Sequence, residues 1–535
     1  MSADLLVVRG RLWSGRTLEA DALLVRDERI VALGSTAELR AASPSARIVD
    51  AGGATVSPGL VDAHLHLVPW ARARKQLELA GCTSREEALE RLRAALGSLP
   101  DDDSPLVGRG WDEGGWEAPP DARALDALAP RRPVLLHRHD FHALWVNGAA
   151  LVAAGVSKRT TDPEGGRLER GPGGELTGLV REHAVALFHA LEQRAAPAVN
   201  DALLDEAASA LHAEGVTGVH DFQRNHDDWL RMRALAGRRR LRVLQHVGPE
   251  QVEAARSLGL RAGEGDAWFR TGSLKLFADG TLGSRTAALI EPYDDAPGRG
   301  MALLEPAAMA SAVASAAAAG FSVAVHAIGD AAVRVALDAV ERNHAALARV
   351  PLPARIEHAQ LVDAADLPRF GALGVAASMQ PQHAATDAPV ARRAWGARCR
   401  RAYPWRALLE SGATLAFGSD APVEPPAARL GLAAAVHRLG ADGAPFEPAQ
   451  AVSLDVALRA YTESAAALAA GRLGCGRLEP GAPADLVVWD RDLHAAGAAE
   501  LAQARPRFTA LAGQIVYDSR SGAGAGGNTR VPARA

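Results

Sequence analysis

Cysteine is nearly absent: Cys82, Cys399 and Cys475 are the only three in 535 residues. An odd count, widely spaced and with no C-x-x-C pair, excludes a disulfide framework and a thiolate zinc site, and fits a reducing cytoplasm. Basic clusters are missing as well. A formal charge of -4 spread over this length leaves no electrostatic footprint for nucleic acid. Long hydrophobic runs are lacking too. The start, MSADLLVVRG, places Asp4 where a secretory signal carries basic residues. The most continuous apolar stretch, Ala307–Ala319, is broken by serines and falls short of the roughly 20 residues of a membrane span, so a packed helix is expected there. These absences leave a cytoplasmic protein acting on a small molecule, with no nucleic-acid or membrane partner. Its oligomeric state stays open, a homodimer among the options.

What is present is a large supply of core: 48% of residues are apolar. Eight short apolar runs occur in order, at Thr55–His66, Val216–Phe222, Leu241–Val247, Ser273–Asp279, Phe321–Ala327, Arg355–Gln360, Val375–Pro381 and Thr414–Asp420. Most are separated by amphipathic Ala-rich segments such as Asn200–Glu214, Glu305–Ala319 and Asp330–Leu347. Strands alternating with helices of that length imply parallel βαβ units, and eight of them imply a (β/α)₈ TIM barrel. The two ends have another character. LLVVRG, ALLVRDERIVALG and ARIVDAGG near the start, and ADLVVWD and QIVYD near the end, alternate apolar and polar residues as sheets do. The expected organisation is therefore an α/β chain. Residues 1–56 and 469–518 form a small β-sandwich, 57–68 and 200–468 the barrel, 69–199 an inserted subdomain over the barrel mouth, and 519–535 a disordered Gly/Arg-rich tail.

The chemistry-bearing residues fall at the ends of those runs. His64 and His66 stand two apart in GLVDAHLHL, so on a strand both imidazoles face one side. Alone, an H-x-H is more often a hydrogen-bonded structural pair than a pair of ligands. His326 ends FSVAVHA, His358 ends RIEHA, Asp420 ends TLAFGSD and Lys275 lies in SLKLFADG. In a barrel these C-terminal ends surround one mouth, where active sites are built. Imidazoles and a carboxylate without thiolates suit Zn²⁺, with Fe, Mn, Co or Ni as substitutes. A neutral lysine is an odd ligand, whereas a CO₂-derived carbamate on Lys275 is an anionic bridge between two metals. Apolar neighbours Leu274 and Leu276 favour its formation by lowering the amine's pKa. A hydroxide held by such a pair is acidified to near neutrality, and Asp420 is placed to take its proton and pass it to a leaving nitrogen.

The chain resembles amidohydrolase family 3, the branch of the amidohydrolase superfamily with YtcJ-like and N-substituted formamide deformylase-like metal-dependent hydrolases. The resemblance runs over nearly the whole chain, through PGLVDAHLHL, GRGWDEGGW, RHDFHALWVN, GVTGVHDF, KLFADGTLGSRTAAL, VHAIGDAAV, IEHAQ, SMQPQHAATD, FGSDAPV and LEPGAPADLVVWD. KLFADGTLGSRTAAL is the most branch-specific of these. The resemblance implies metal ligands at His64, His66, Lys275, His326, His358 and Asp420, with Lys275 and Asp420 also catalytic. His64 and His66 go with Lys275 and Asp420 on the more buried metal; Lys275, His326 and His358 go on the other. It also implies the two-ended sandwich and the insertion. Members often have Trp where this chain has Ala421, which implies a roomier rim.

Several further polar and aromatic residues are candidates for substrate. Asp279, Ser284 and Arg285 follow the lysine strand, and Arg285 pairs either with an anionic substrate group or with Asp279. His383 in SMQPQH is placed to orient a carbonyl or leaving group, or to serve the scaffold. His220 and Asp221 are expected to be structural. In the insertion, Trp111, Asp112, Trp116, His139, His142 and Trp145 either form a small core or line an apolar pocket over the metals. The function expected is hydrolysis of a non-peptide C–N bond in a small N-substituted formamide or related amide. A cyclic amide, carbamate or ester hydrolase with the same site, or a non-catalytic metal-binding regulator, is the alternative.

Overall fold

The eight apolar runs become eight parallel strands whose residues are almost all buried, as strands covered on both faces must be. They are β1 (Leu60–Leu65), β2 (Val216–Asp221), β3 (Arg242–Val247), β4 (Phe269–Phe277), β5 (Val323–Ala327), β6 (Arg355–His358), β7 (Ala376–Met379) and β8 (Leu415–Phe417). Each pairs with the next in order, giving an eight-stranded barrel sheet. The ring closes just beyond the last strand. Leu65 bridges Ala421, His66 N–H donates to Ala421 O at 2.9 Å, and Asp420 N–H donates to His64 O at 2.6 Å. The computed structural model describes residues 4–99, 102–113, 116–138, 143–163, 166–195, 199–222, 226–470 and 476–520. Their contacts define two units, residues 4–70 with 201–520, and Ala71–Asn200.

Helices connect the strands where the Ala-rich segments lie, at Asp201–Ala213, Pro306–Ala318 and Asp330–Arg342 among others. Pro306–Ala318 buries Met309, Val313 and Ala316, one stripe at helical spacing, and is the packed helix expected there. Among the described residues no helix is long and apolar enough to cross a membrane. In the same unit the chain's two ends build two sheets, one of four strands between Leu5 and Asp50 and one of five that pairs Thr55–Pro58 with Leu486–Trp489. Leu5, Val7, Leu23 and Val25 from the first and Val56, Leu486, Val488 and Phe508 from the second share one core.

The Ala71–Asn200 unit is a six-stranded mixed sheet. It has apolar clusters around Trp111, Trp145 and Leu136, and around Leu135, Val146 and Phe188. Its Arg85–Leu96 helix starts at Ser84, whose side chain accepts from Glu87 N–H. Of the tail expected at 519–535, all but Ser519 and Arg520 lies outside the described residues, as do His139 and His142.

Candidate active site

Four imidazoles, a carboxylate and a lysine converge at the C-terminal ends of β1, β4, β5, β6 and β8. His64 lies on β1 with His66 one residue beyond it, and their ring centroids are 5.7 Å apart. His358 is 5.0 Å from His64 and 4.5 Å from His326, centroid to centroid. Asp420 Oδ1 stands 3.6 Å from His64 Nε2 and 3.3 Å from His66 Nε2. The candidate ligand atoms of His64, His66 and Asp420 lie within 4.8 Å of one another, and so do those of His358, His383 and Asp420. Lys275 is buried in β4 with Nζ 4.5 Å from the Phe222 ring centroid and 5.1 Å from that of Phe277. His358 (φ 75°) and Asp420 (φ 60°) both have left-handed backbone, a strained conformation that concentrates at functional sites.

Each of three imidazoles has one nitrogen occupied from outside. His64 Nδ1 is 2.7 Å from Glu357 Oε2, His326 Nε2 is 3.0 Å from Gly280 O, and His358 Nδ1 is 2.8 Å from Gln380 Oε1. That arrangement fixes tautomers and leaves the other nitrogen's lone pair pointing inward. Two lone-pair groups, His64 Nε2 and Asp420 Oδ1, then face each other at 3.6 Å. A cation between them resolves that repulsion, so the donor set fits a divalent metal of the kind bound by nitrogen and oxygen.

The electrostatics agree. Burial first, and Lys275 after it, push His64 and His326 down to about 4, so both are neutral, the form that binds metal. Burial also holds His358 well below the usual histidine range. Burial raises the Asp420 carboxyl, but its contacts with His64 and with His66 Nε2 at 3.3 Å hold it well below the usual carboxylate range. Under the site, burial raises Asp62 to about 6 against its bonds from Ser419 and His64 N–H. That carboxyl ties the backbone of β1 to the turn carrying Asp420.

Residues 47–517 match the model of the amidohydrolase family. The chain is a member of the amidohydrolase family. A short stretch, residues 22–46, also matches a bacterial imidazolonepropionase-like composite domain. YtcJ of Bacillus subtilis (strain 168) is 34% identical over 518 residues, covering 93% of this chain and 96% of YtcJ. The N-substituted formamide deformylase of Arthrobacter pascens is 28% identical over 554 residues, covering 96% and 98%. An uncharacterized metal-dependent hydrolase from Pyrococcus horikoshii OT3 superposes with a TM-score of 0.76 at 27% identity, covering 93% of this chain and 99% of that one. This amidohydrolase is thus an enzyme, a hydrolase acting on carbon–nitrogen bonds, and the family implies a divalent metal.

The structure brings five of the six expected ligands, His64, His66, His326, His358 and Asp420, around one centre, with Lys275 buried beneath them. The substrate candidates fare differently. Asp279 is buried, and its oxygens accept the N–H groups of Ala288, Ile328 and Gly329; it fastens the loop after β4 to the end of β5. Arg285 braces Asp295 rather than Asp279, through Nε at 2.9 Å and Nη2 at 2.5 Å. Trp111 is fully buried within the Ala71–Asn200 unit, where it packs on Trp116 and Trp145 and donates from Nε1 to Leu136 O at 2.6 Å. His383 does reach the centre, stacked 6.2 Å from His358, with a buried Nε2 that has no partner. His220 and Asp221 are scaffold: His220 Nδ1 accepts from Arg355, and Asp221 accepts from Leu67 N–H and Gln245. Ala421 is buried and bridges Leu65 of β1.

Sequence reasoning missed Glu357 and Gln380. One signal for Glu357 was available: Arg355 and Glu357 stand two apart on a strand otherwise fit for burial, and a charge pair on such a strand marks an internal polar network.

Proposed function

We propose that this amidohydrolase cleaves the C–N bond of a small N-substituted formamide or related amide, with His64, His66, Lys275, His326, His358 and Asp420 as metal ligands. The observation that carries this reading is the gathering of ligand atoms around Asp420, those of His64 and His66 on one side and of His358 and His383 on the other, each group within 4.8 Å. Zinc would be held by these six donors, with Lys275, buried beside Phe222 and Phe277, entering as its CO₂-derived carbamate. Bound metal supplies Lewis acidity, both for water and for the substrate carbonyl.

The protein's own groups do the rest. Asp420 accepts the proton of the attacking water and delivers it to the leaving nitrogen. His383, with its free Nε2 at the centre, orients the carbonyl or the leaving group. The formamide assignment is supported by the similarity to the Arthrobacter pascens enzyme along nearly its whole length.

Asp420→Asn tests the reading. Metal content by plasma mass spectrometry should stay near two per chain after reconstitution with zinc and bicarbonate. Turnover of a formamide and amide panel should fall about 10²–10⁴-fold, the usual contribution of general acid–base catalysis. Unchanged turnover rejects the role of Asp420, and fewer than about one metal per wild-type chain rejects the paired site.

A further inference from the structure

Glu357 is a fully buried carboxylate that no step above uses. It lies on β6 beside His358, and its Oε2 is 2.7 Å from His64 Nδ1. Arg355, two residues earlier on the same strand, grips it twice: Nε meets Oε1, and Nη2 donates to Oε2 at 3.0 Å. Arg355 is itself fixed from three other strands. It donates to Ala63 O of β1 at 2.7 Å, to Ser378 Oγ of β7 at 2.6 Å and to His220 Nδ1 of β2 at 3.0 Å. The carboxylate is therefore anchored to four strands of the barrel and has little freedom to swing away.

A carboxylate only accepts, so the hydrogen in the His64–Glu357 contact belongs to Nδ1. Neutral His64 must then carry its lone pair on Nε2, the atom that faces Asp420. Among the three imidazoles with outer partners, His326 leans on a backbone carbonyl and His358 on an amide. His64 has a carboxylate at hydrogen-bond distance, 2.7 Å, whereas the Asp279 carboxylate stays 3.6 Å from His326 Nε2, and a carboxylate bonded behind an imidazole makes the far nitrogen more basic. Neutralising Arg355 alone does not account for this contact, because the guanidinium already meets both carboxylate oxygens without it.

We propose that Glu357 is a positioning residue that locks His64 as the Nδ1–H tautomer and thereby sets the metal affinity of the His64–His66–Asp420 cluster. This inference rests on the metal reading given under Proposed function. Arg355 is the brace, carrying orientation from β1, β2 and β7 to one imidazole.

The test uses the full-length protein and two readouts. Zinc affinity is measured by competition with a chromophoric chelator in wild type, in Glu357→Gln and in Arg355→Met/Glu357→Leu. The double variant removes both charges, so that no unpaired arginine is left buried. Each variant that retains a wild-type-like melting transition should bind zinc about 10–100-fold more weakly, the usual effect of losing such a partner. Binding within about twofold of wild type overturns the proposal. Independently, heteronuclear NMR of histidine-labelled, metal-free wild type should show an Nδ1–H signal that disappears in His64→Gln; an Nε2–H signal for His64 overturns the proposal even if neither Glu357 variant folds. Wild type that takes up no zinc rejects the metal reading itself, while the tautomer readout, which needs no metal, still decides the His64–Glu357 contact.

Discussion

At the scale of single residues, the site depends on how closely β8 approaches β1. Gly418 has ordinary backbone angles, so its smallness is what matters: a Cβ there would lie 2.4 Å from His64 N and 2.7 Å from Asp62 Oδ1. Those atoms cannot retreat easily, because His64 N–H and Ser419 N–H both bond Asp62 Oδ1, and Ser419 Oγ bonds Asp62 Oδ2. Gly418→Ala should therefore push β8 outward and carry Asp420 with it. The expected loss is about 1–3 kcal/mol of stability from overpacking, together with metal content below that of wild type after identical reconstitution. Calorimetry and metal analysis on the same preparation check both, and a variant with full metal content would show that the Asp62 turn has slack. The strained φ at Asp420 follows from the same closure, since its N–H is committed to His64 O at 2.6 Å.

At the scale of elements, the helix Asp201–Ala213 joins barrel to sandwich through one histidine. His212 is fully buried; its Nε2–H donates to Arg240 O at 2.8 Å, and its own carbonyl accepts from Thr509 Oγ1 of the Pro506–Leu511 strand. Burial pushes His212 down to about 4, against the bond to Arg240 O that favours the charged form. A lowered folded pKa means that the unfolded chain binds the proton first. This contribution is complete above about pH 6.5 and drains away as pH falls toward about 4, on the order of 3 kcal/mol in all. Urea unfolding at pH 7 and pH 5 should thus show wild type losing more stability than His212→Gln, whose amide also donates to Arg240 O without titrating. Equal losses would refute this. The elements themselves were legible in the sequence, because a barrel strand buried on both faces must run apolar and end where polar residues reach the mouth; His326, His358 and Asp420 stand out for that reason. Partners across the barrel were not. Glu357 and His64 are 293 positions apart, and nothing in RIEHA says which strand will face the carboxylate. Loop contacts were equally hidden: Arg285 finds Asp295 ten residues on, and Asp279 spends itself on backbone N–H groups, which leave no mark in a sequence.

At the scale of the whole barrel–sandwich unit, one buried ion pair crosses between the two layers built from distant parts of the chain. Arg242 opens β3, and Asp485 precedes the sandwich strand Leu486–Trp489; Nε donates to Oδ2 at 2.5 Å and Nη2 to Oδ1 at 2.9 Å, with both side chains buried. Asp485 Oδ1 also accepts Ala512 N–H, and Arg242 Nη1 donates to Ala267 O, so the charges are satisfied from both sides. Such a pair adds little net stability, because desolvation cancels most of its attraction, yet removing one member strands the other. Asp485→Ala should cost about 3–5 kcal/mol, whereas Arg242→Met/Asp485→Leu, which replaces the pair with apolar groups of similar size, should recover most of it. Guanidinium unfolding of the three proteins decides the matter: if the double variant is as unstable as the single, the pair is a genuine source of stability; if it approaches wild type, the pair's role is to fix how the sandwich strand meets the start of β3, and folding specificity accounts for a buried charge so far from the chemistry.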